Sequence, residues 1–283
     1  MVIGLVVEGG ANRTYYSIGV MDAFIDLGVS VDFFVGVSAG IANGTSYISG
    51  QKGRALELGL KYVPDKRYMG LKYFFKKGNK SYYNRDFIFN TIPNELIPFD
   101  YDAFKRFPGE VYAVVTNLHT GKPEYKRVSS DDREWSLIQA SCALPFFFKP
   151  IKLSEGLYFD GGCSDPLPVE FAFEKGCDKI ITILTREENY EKQTETDVML
   201  SSILYRKNAE FSDVLKNRSN IYNNSKKYLY EKKREGTAFI FAPKCTKNWK
   251  RTEKSPEKLL KMYNEGYNDV TEQFEELKKF IGL

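Results

Sequence analysis

A serine with a glycine two residues away on either side, Gly36-Val37-Ser38-Ala39-Gly40, follows directly on the apolar run Val31-Asp32-Phe33-Phe34-Val35. A short run rich in Val and Phe reads as a buried strand, and small, mostly helix-compatible residues continue to Gly50. Strand, sharp turn and helix with serine at the apex is the setting in which G-x-S-x-G forms a nucleophile elbow. The turn forces the serine into a strained backbone geometry, so its neighbours must carry little or no side chain. The hydroxyl then stands at the carboxyl end of a strand, beside a helix amino terminus whose free N–H groups favour developing negative charge. The competing reading is an ordinary glycine-rich strand-to-helix turn.

A serine nucleophile needs a base and preorganised donors for its oxyanion. Glu8-Gly9-Gly10-Ala11-Asn12-Arg13 lies between the strand-like Met1 to Val7 and a helical stretch, Thr14 to Leu27, with Ile18, Met21 and Ile25 at helical spacing. A glycine-rich loop there lets backbone N–H groups point at a negative oxygen. It is not G-x-G-x-x-G and no acidic residue follows in the expected place, so an oxyanion hole is the better reading than a dinucleotide site. Leu157-Tyr158-Phe159-Asp160-Gly161-Gly162 reads as a strand ending in a carboxylate that glycines leave open to close approach. Asp160 would accept a proton from the serine hydroxyl if the fold brings the two together, although Asp-Gly-Gly is also a commonplace turn. The chain has one histidine, His119, within the turn-like Asn117-Leu118-His119-Thr120-Gly121, where nothing local orients it. An imidazole base must be His119 or be absent.

The elements that position these residues alternate strand and helix through the first two-thirds of the chain. That pattern predicts an α/β three-layer sandwich with a mostly parallel central sheet. Within 283 residues there is no internal repeat or low-complexity linker, so a single domain is expected, with 1–185 as core and 186–283 as a mostly helical part packed on it. Pro256 opens an amphipathic C-terminal helix running to Leu277. Between Tyr205 and Lys254 stand 14 basic residues against 5 acidic ones. Lys52 to Arg85 holds ten basic residues against Glu57 and Asp65, interleaved with tyrosines and phenylalanines. Such a segment suits peripheral contact with an anionic membrane, and equally a solvated basic face whose rings pack inward. A net charge of +4 is too mild to predict a nucleic-acid partner. The four cysteines, Cys142, Cys163, Cys177 and Cys245, have no C-x-x-C spacing and no companion histidine. No metal or cofactor is expected, and a reducing, cytoplasmic setting fits better than a disulfide framework. No stretch is long and apolar enough to span a bilayer.

The order and spacing of these blocks resemble the patatin-like phospholipases. Glu8-Gly9-Gly10-Ala11-Asn12-Arg13 with Ile18-Gly19-Val20 is similar to their oxyanion loop and first helix, and Gly36 to Gly40 to their elbow. Ala140-Ser141-Cys142-Ala143-Leu144-Pro145-Phe146-Phe147-Phe148 resembles the block before their catalytic aspartate, and Tyr158 to Val169 the Asp-Gly-Gly block itself. Arg251 through Pro256 to Tyr267 is similar to the carboxyl end of a bacterial subgroup. The resemblance implies a lipid acyl hydrolase using a Ser-Asp dyad without histidine. Ser38 would be the nucleophile and Asp160 the general base. Gly9, Gly10 and Ala11 would supply oxyanion donors, and Arg13 would hold the loop or favour negative charge nearby. The substrate would be a lipid or other acyl ester, met at the inner face of a membrane. Two departures stand out. Ala11 replaces a glycine, which costs roughly 1 kcal/mol or more if φ there is positive, and Thr14 replaces another. A histidine-dependent esterase using His119, and a lipid-binding protein of weak activity, are the alternative readings. Oligomeric state stays open.

Overall fold

The computed structural model describes residues 1–283, and its eight strands form one sheet. The strands are β1 (Ile3–Val7), β2 (Phe33–Val37), β3 (Glu110–Asn117), β4 (Pro123–Arg127), β5 (Ile151–Leu153), β6 (Gly156–Asp160), β7 (Lys179–Ile183) and β8 (Ala238–Phe241). Their order is β5-β6-β3-β2-β1-β7-β8, with β4 as a further partner of β3. The run β3-β2-β1-β7-β8 is parallel, while β4, β5 and β6 pair antiparallel at one end. Parallel strands are covered on both faces, which is why β1, β2 and β7 read as near-continuous apolar runs.

Successive residues of each strand enter different cores. Leu5, Val7 and Phe34 join Tyr16, Val20 and Phe24 of α1 (Tyr15–Leu27). Val6, Val35 and Val37 join the opposite layer with Val169 of α7 (Val169–Glu174) and Leu229 of α10 (Arg218–Arg234). The remaining helices are α2 (Ala39–Ile48), α3 (Arg54–Lys61), α4 (Lys72–Phe75), α5 (Tyr101–Arg106), α6 (Ser136–Ser141), α8 (Thr196–Leu204), α9 (Ala209–Lys216), α11 (Pro256–Glu272) and α12 (Phe274–Ile281). The expected three-layer α/β sandwich is therefore present.

The register of β3 fixes the geometry of everything that follows. Along one edge of β3, Val114 pairs with Val37 of β2 and the next residue, Val115, pairs with Asp160 of β6. The other edge is taken by β4, where Tyr125 faces Val114 and Pro123 faces Thr116. β2 and β6 thus share one edge of β3 from opposite directions and meet end to end, with Ser38 and Asp160 at the junction.

Two stretches differ from the sequence reading. The C-terminal amphipathic stretch is two helices, because the backbone at Gln273 opens to φ −102°, ψ 9° between α11 and α12. Between residues 86 and 106 lie a ten-residue π-helix, Phe87–Leu96 with Pro93 inside it, and α5, neither of which the apolar spacing announces. The C-terminal part joins the core directly: β8 extends the sheet beside β7, and α11 crosses α1. At that crossing a Cβ on Gly19 would lie 2.0 Å from the Tyr263 carbonyl oxygen, and one on Gly266 2.1 Å from that of Tyr16. The hydroxyls of Tyr16 and Tyr267 donate to Asp269 and Asp26 across it, at 2.8 and 2.6 Å.

Candidate active site

Ser38 sits at φ 54°, ψ −127°, between the end of β2 and the start of α2. For a residue with a side chain this backbone costs about 1–3 kcal/mol and persists only where the surroundings enforce it. Here the enforcement is close packing. A Cβ on Gly36 would lie 2.6 Å from the Ile41 nitrogen, and one on Gly40 2.5 Å from the Val7 carbonyl oxygen. Both glycines are therefore required by approach of the backbone and not by positive φ. The Ser38 N–H donates to Ser141 Oγ at 2.9 Å, and that hydroxyl donates to the Val114 carbonyl at 2.8 Å. Two residues on, the Ala143 carbonyl accepts the Asp160 N–H at 3.0 Å. The end of α6 thus ties both sides of the strand junction together, which gives the Ala140-to-Pro145 block a physical purpose.

Asp160 is buried and its Oδ1 accepts the Gly162 N–H at 2.8 Å. Thr116 Oγ1 donates to the Asp160 carbonyl at 2.8 Å, and Arg218 Nε donates to the Gly162 carbonyl at 2.7 Å. Burial pushes the Asp160 carboxyl up from its ordinary range; the Ser38 hydroxyl, then Arg218 and the Gly162 N–H, pull it back. Ser38 is near enough to be the leading opposing influence, although the pair forms no well-aligned hydrogen bond at rest. Contacts of this kind tighten around substrate.

The glycine loop packs on the elbow. A Cβ on Gly9 would fall 2.8 Å from Ser38 Cβ, and one on Gly10 2.7 Å from Thr185 Oγ1. Ala11 has φ +47°, so the methyl group stands in the left-handed region and the conditional cost of this departure applies. Thr14, the other departure, makes a tie that glycine lacks: its hydroxyl donates to the Ala11 carbonyl at 2.6 Å and accepts from Asn43 Nδ2 at 2.8 Å. The amides of Gly9 and Gly10 have no partner within the protein. The loop is fastened from far along the chain. Asn12 donates its N–H to the Arg251 carbonyl at 3.1 Å and its Nδ2 to the Glu253 carbonyl at 2.6 Å. Arg13 is buried; its N–H donates to the Gly10 carbonyl at 3.1 Å, and its guanidinium makes no hydrogen bond.

Ser38, Asp160 and the loop from Glu8 to Arg13 all line one cavity of about 200 Å³. Its apolar wall includes Tyr15, Leu58, Tyr68 and Phe147, with Ile88, Phe89 and Ile92 from the π-helix. Its polar wall carries Arg186, Lys192, Arg218 and Arg251. The sequence names neither these cations nor Ser141 as site residues; its signals are the basic excess after Tyr205, which covers Arg218 and Arg251, and the Ala140-to-Phe148 block, which covers Ser141. His119 is exposed in the turn after β3 and does not reach the cavity; its N–H donates to Asn117 Oδ1.

An elbow serine beside a buried carboxylate in a three-layer α/β fold defines a class, and comparison with known proteins gives the family. Residues 5–173 match the profile described as patatin-like phospholipase, and the chain belongs to that family. Residues 208–282 match a second profile, a domain of unknown function (DUF6363). The uncharacterised protein YjjU of Escherichia coli (strain K12) is 28% identical over 189 residues, covering 65% of this chain and 52% of its own. Lysophospholipase nte1 of Aspergillus terreus (strain NIH 2624 / FGSC A1156) is 27% identical over 190 residues, covering 64% of this chain and 12% of its own. The chain thus matches about half the length of the first relative and a small part of the second. VipD from Legionella pneumophila aligns over 97% of this chain and 67% of its own, with a TM-score of 0.48 and 13% identity. No helix is long and apolar enough to cross a membrane.

Proposed function

We propose that the protein hydrolyses lipid acyl esters through an acyl-Ser38 intermediate, with Asp160 as the general base. Ser38 Oγ attacks the ester carbonyl as its proton passes to Asp160, and the collapsing intermediate releases the alcohol, which takes that proton. Water then attacks the acyl-enzyme, again giving a proton to Asp160, and the proton returns to Ser38 as the carboxylic acid leaves. The free amides of Gly9 and Gly10, with that of Ala11, stabilise the oxyanion in both steps. The observation that carries this reading is the end-to-end meeting of β2 and β6 on β3, which sets the strained serine against a buried carboxylate. Both halves of the chain work as one unit, since Arg218 and residues 251–253 fasten the aspartate turn and the glycine loop.

Covalent labelling with a fluorophosphonate probe tests the mechanism. Wild type and His119→Ala are expected to label, whereas Ser38→Ala and Asp160→Asn lose the signal. Labelling lost in His119→Ala overturns the dyad. A folded wild type that never labels favours the weakly active lipid binder, for which the strained Ala11 is the supporting observation.

The reading extends to the surface next to the cavity wall at Phe147. Phe74, Tyr82, Phe147 and Phe146 form a chain of ring contacts beside it. Leu71 and Phe75 stand 71% and 89% exposed there, among Lys72, Lys76, Lys77 and Lys80. Exposed apolar anchors ringed by lysines suit an anionic bilayer surface. Four unpaired cysteines fit a reducing compartment, the cytoplasmic face of that bilayer. Sedimentation with phosphatidylglycerol vesicles should exceed that with phosphatidylcholine and fall in a Leu71→Ser, Phe75→Ser double variant.

A further inference from the structure

Of the ten basic residues between Lys52 and Arg85, Arg54 alone is buried, and it lines the cavity of Ser38. It opens α3, and Leu58, one turn later on the same face, lines the cavity with it. The guanidinium lies over the Phe99 ring, 5.1 Å from its centre, and Phe99 packs at 4.8 Å against Trp135, itself part of the lining. The charge has no counterpart. Nη2 donates to the Ile97 carbonyl at 3.0 Å and Nη1 to Ser46 Oγ at 3.4 Å, both neutral acceptors, and Nε is sealed off without a partner. Five N–H donors thus meet two acceptors. Burial holds Arg54 down to about 10, with Tyr101 and Glu57 pulling the other way. Glu57 is itself engaged by Lys61 at 2.6 Å. A buried charge left without an anion is costly.

Its place along the cavity decides which part of a substrate it meets. α2 begins beside Ser38, and Ala39, Ala42 and Asn43 of that helix line the cavity. Ser46, which meets Arg54, lies further along the same face, about 12 Å from Ser38 by helical rise. An acyl group on Ser38 that follows α2 over these small side chains brings its far end to the guanidinium. A methyl terminus there covers the charge and gives it nothing, whereas a carboxylate matches the arginine fork. We propose that Arg54 is a subsite for a carboxylate at the far end of the acyl group, so that half-esters of dicarboxylic acids are preferred over plain fatty acyl esters. The inference rests on the acyl-Ser38 chemistry proposed above and concerns the acyl side of the substrate alone.

Two measurements test it. Wild-type kcat/KM is compared for p-nitrophenyl monoesters of straight-chain dicarboxylic acids, from adipic to hexadecanedioic, and for p-nitrophenyl alkanoates of matched length. A preference of about tenfold or more for the carboxylate-ended ester is expected at intermediate lengths, one charge-assisted contact being worth that much. It should vanish for the shortest chains, which do not reach Arg54. Arg54→Met should bring the ratio to unity or below, and Arg54→Lys should keep part of it. The wild-type ratio decides even if both variants misfold: a value near one at every length overturns the proposal. Inhibition by free fatty acids that Arg54→Met relieves, without the ester preference, means a carboxylate entering in reverse and overturns the acyl-end assignment. Separately, Ser38→Ala protein, which cannot turn over, is melted with monomethyl esters of the same dicarboxylic acids. A saturable rise in melting temperature, larger than with methyl alkanoates of equal length, is expected, and its absence overturns the subsite. That rise together with a wild type that neither labels with fluorophosphonate nor turns over any ester would overturn the hydrolase reading and not the carboxylate subsite.

Discussion

At the scale of single residues, Asp160, the base of the proposed mechanism, would join catalysis to stability. Burial raises its carboxyl in the folded state, so ionising it costs folding free energy as pH climbs through and above the ordinary carboxylate range. The proposed mechanism needs the ionised form. The acid limb of kcat/KM is therefore expected above the ordinary aspartate value near pH 4, and Arg218→Met should move it higher still by removing a cation that holds the carboxyl down. Asp160→Asn should abolish turnover while raising the melting temperature at pH 7. On the proposed mechanism Gly9→Ala is expected to cost at least about a hundredfold in kcat, because its methyl would meet Ser38 Cβ and displace a proposed oxyanion donor. At Ala11, glycine relieves the left-handed backbone but loosens the unfolded chain, so Ala11→Gly should change stability by no more than about 1 kcal/mol in urea melts. The motifs at Ser38, Asp160 and the glycine loop were legible because few residue types satisfy such steric demands. The sign of φ at Ala11 was not, since it depends on how residues 251–253 draw the loop in.

Among elements, β3 does most of the positioning. The strands were legible because burial on both faces writes long apolar runs into them. That β2 and β6 abut on one edge of β3 was not, because register is a property of pairs of strands. The π-helix escaped notice for a different reason. Its wide turn follows neither 3.6-residue periodicity nor the usual exclusion of proline, yet it supplies much of the apolar wall. The crossing of α1 and α11 yields a direct test. Gly19→Ala or Gly266→Ala places a methyl group about 2 Å from a carbonyl oxygen of the facing helix. Each should destabilise by about 1–3 kcal/mol or more in denaturant melts, and more than a Gly28→Ala control at an open position.

For the molecule as a whole, Glu195 is the hub binding the late part of the chain to the site. Its carboxyl is held down to about 2, against an ordinary 4.5, by Lys192, Arg251 and Arg218 working against burial. A depressed folded-state value stabilises above the unfolded one and is lost as pH falls, so this contribution, on the order of 3 kcal/mol, is full above about pH 4.5 and gone near pH 2. Glu195→Gln should lower the melting temperature at pH 7, with the difference from wild type shrinking steadily on acidification. Arg218 and Arg251 were legible only as part of the charge excess after Tyr205, and Lys192 not at all, because their convergence on one carboxylate depends on distant segments meeting in space.

The fastening of the glycine loop by Arg251 and Glu253 bears on how the protein is made. A ribosome delivers Ser38 long before it delivers those residues, and α11, which locks α1 through Gly19 and Gly266, follows later still. A chain made only as far as α10 therefore carries Ser38 without the ties that fasten the loop from Glu8 to Arg13. On the mechanism proposed above, a nascent chain would gain hydrolytic activity only once residues 251–253 have been made.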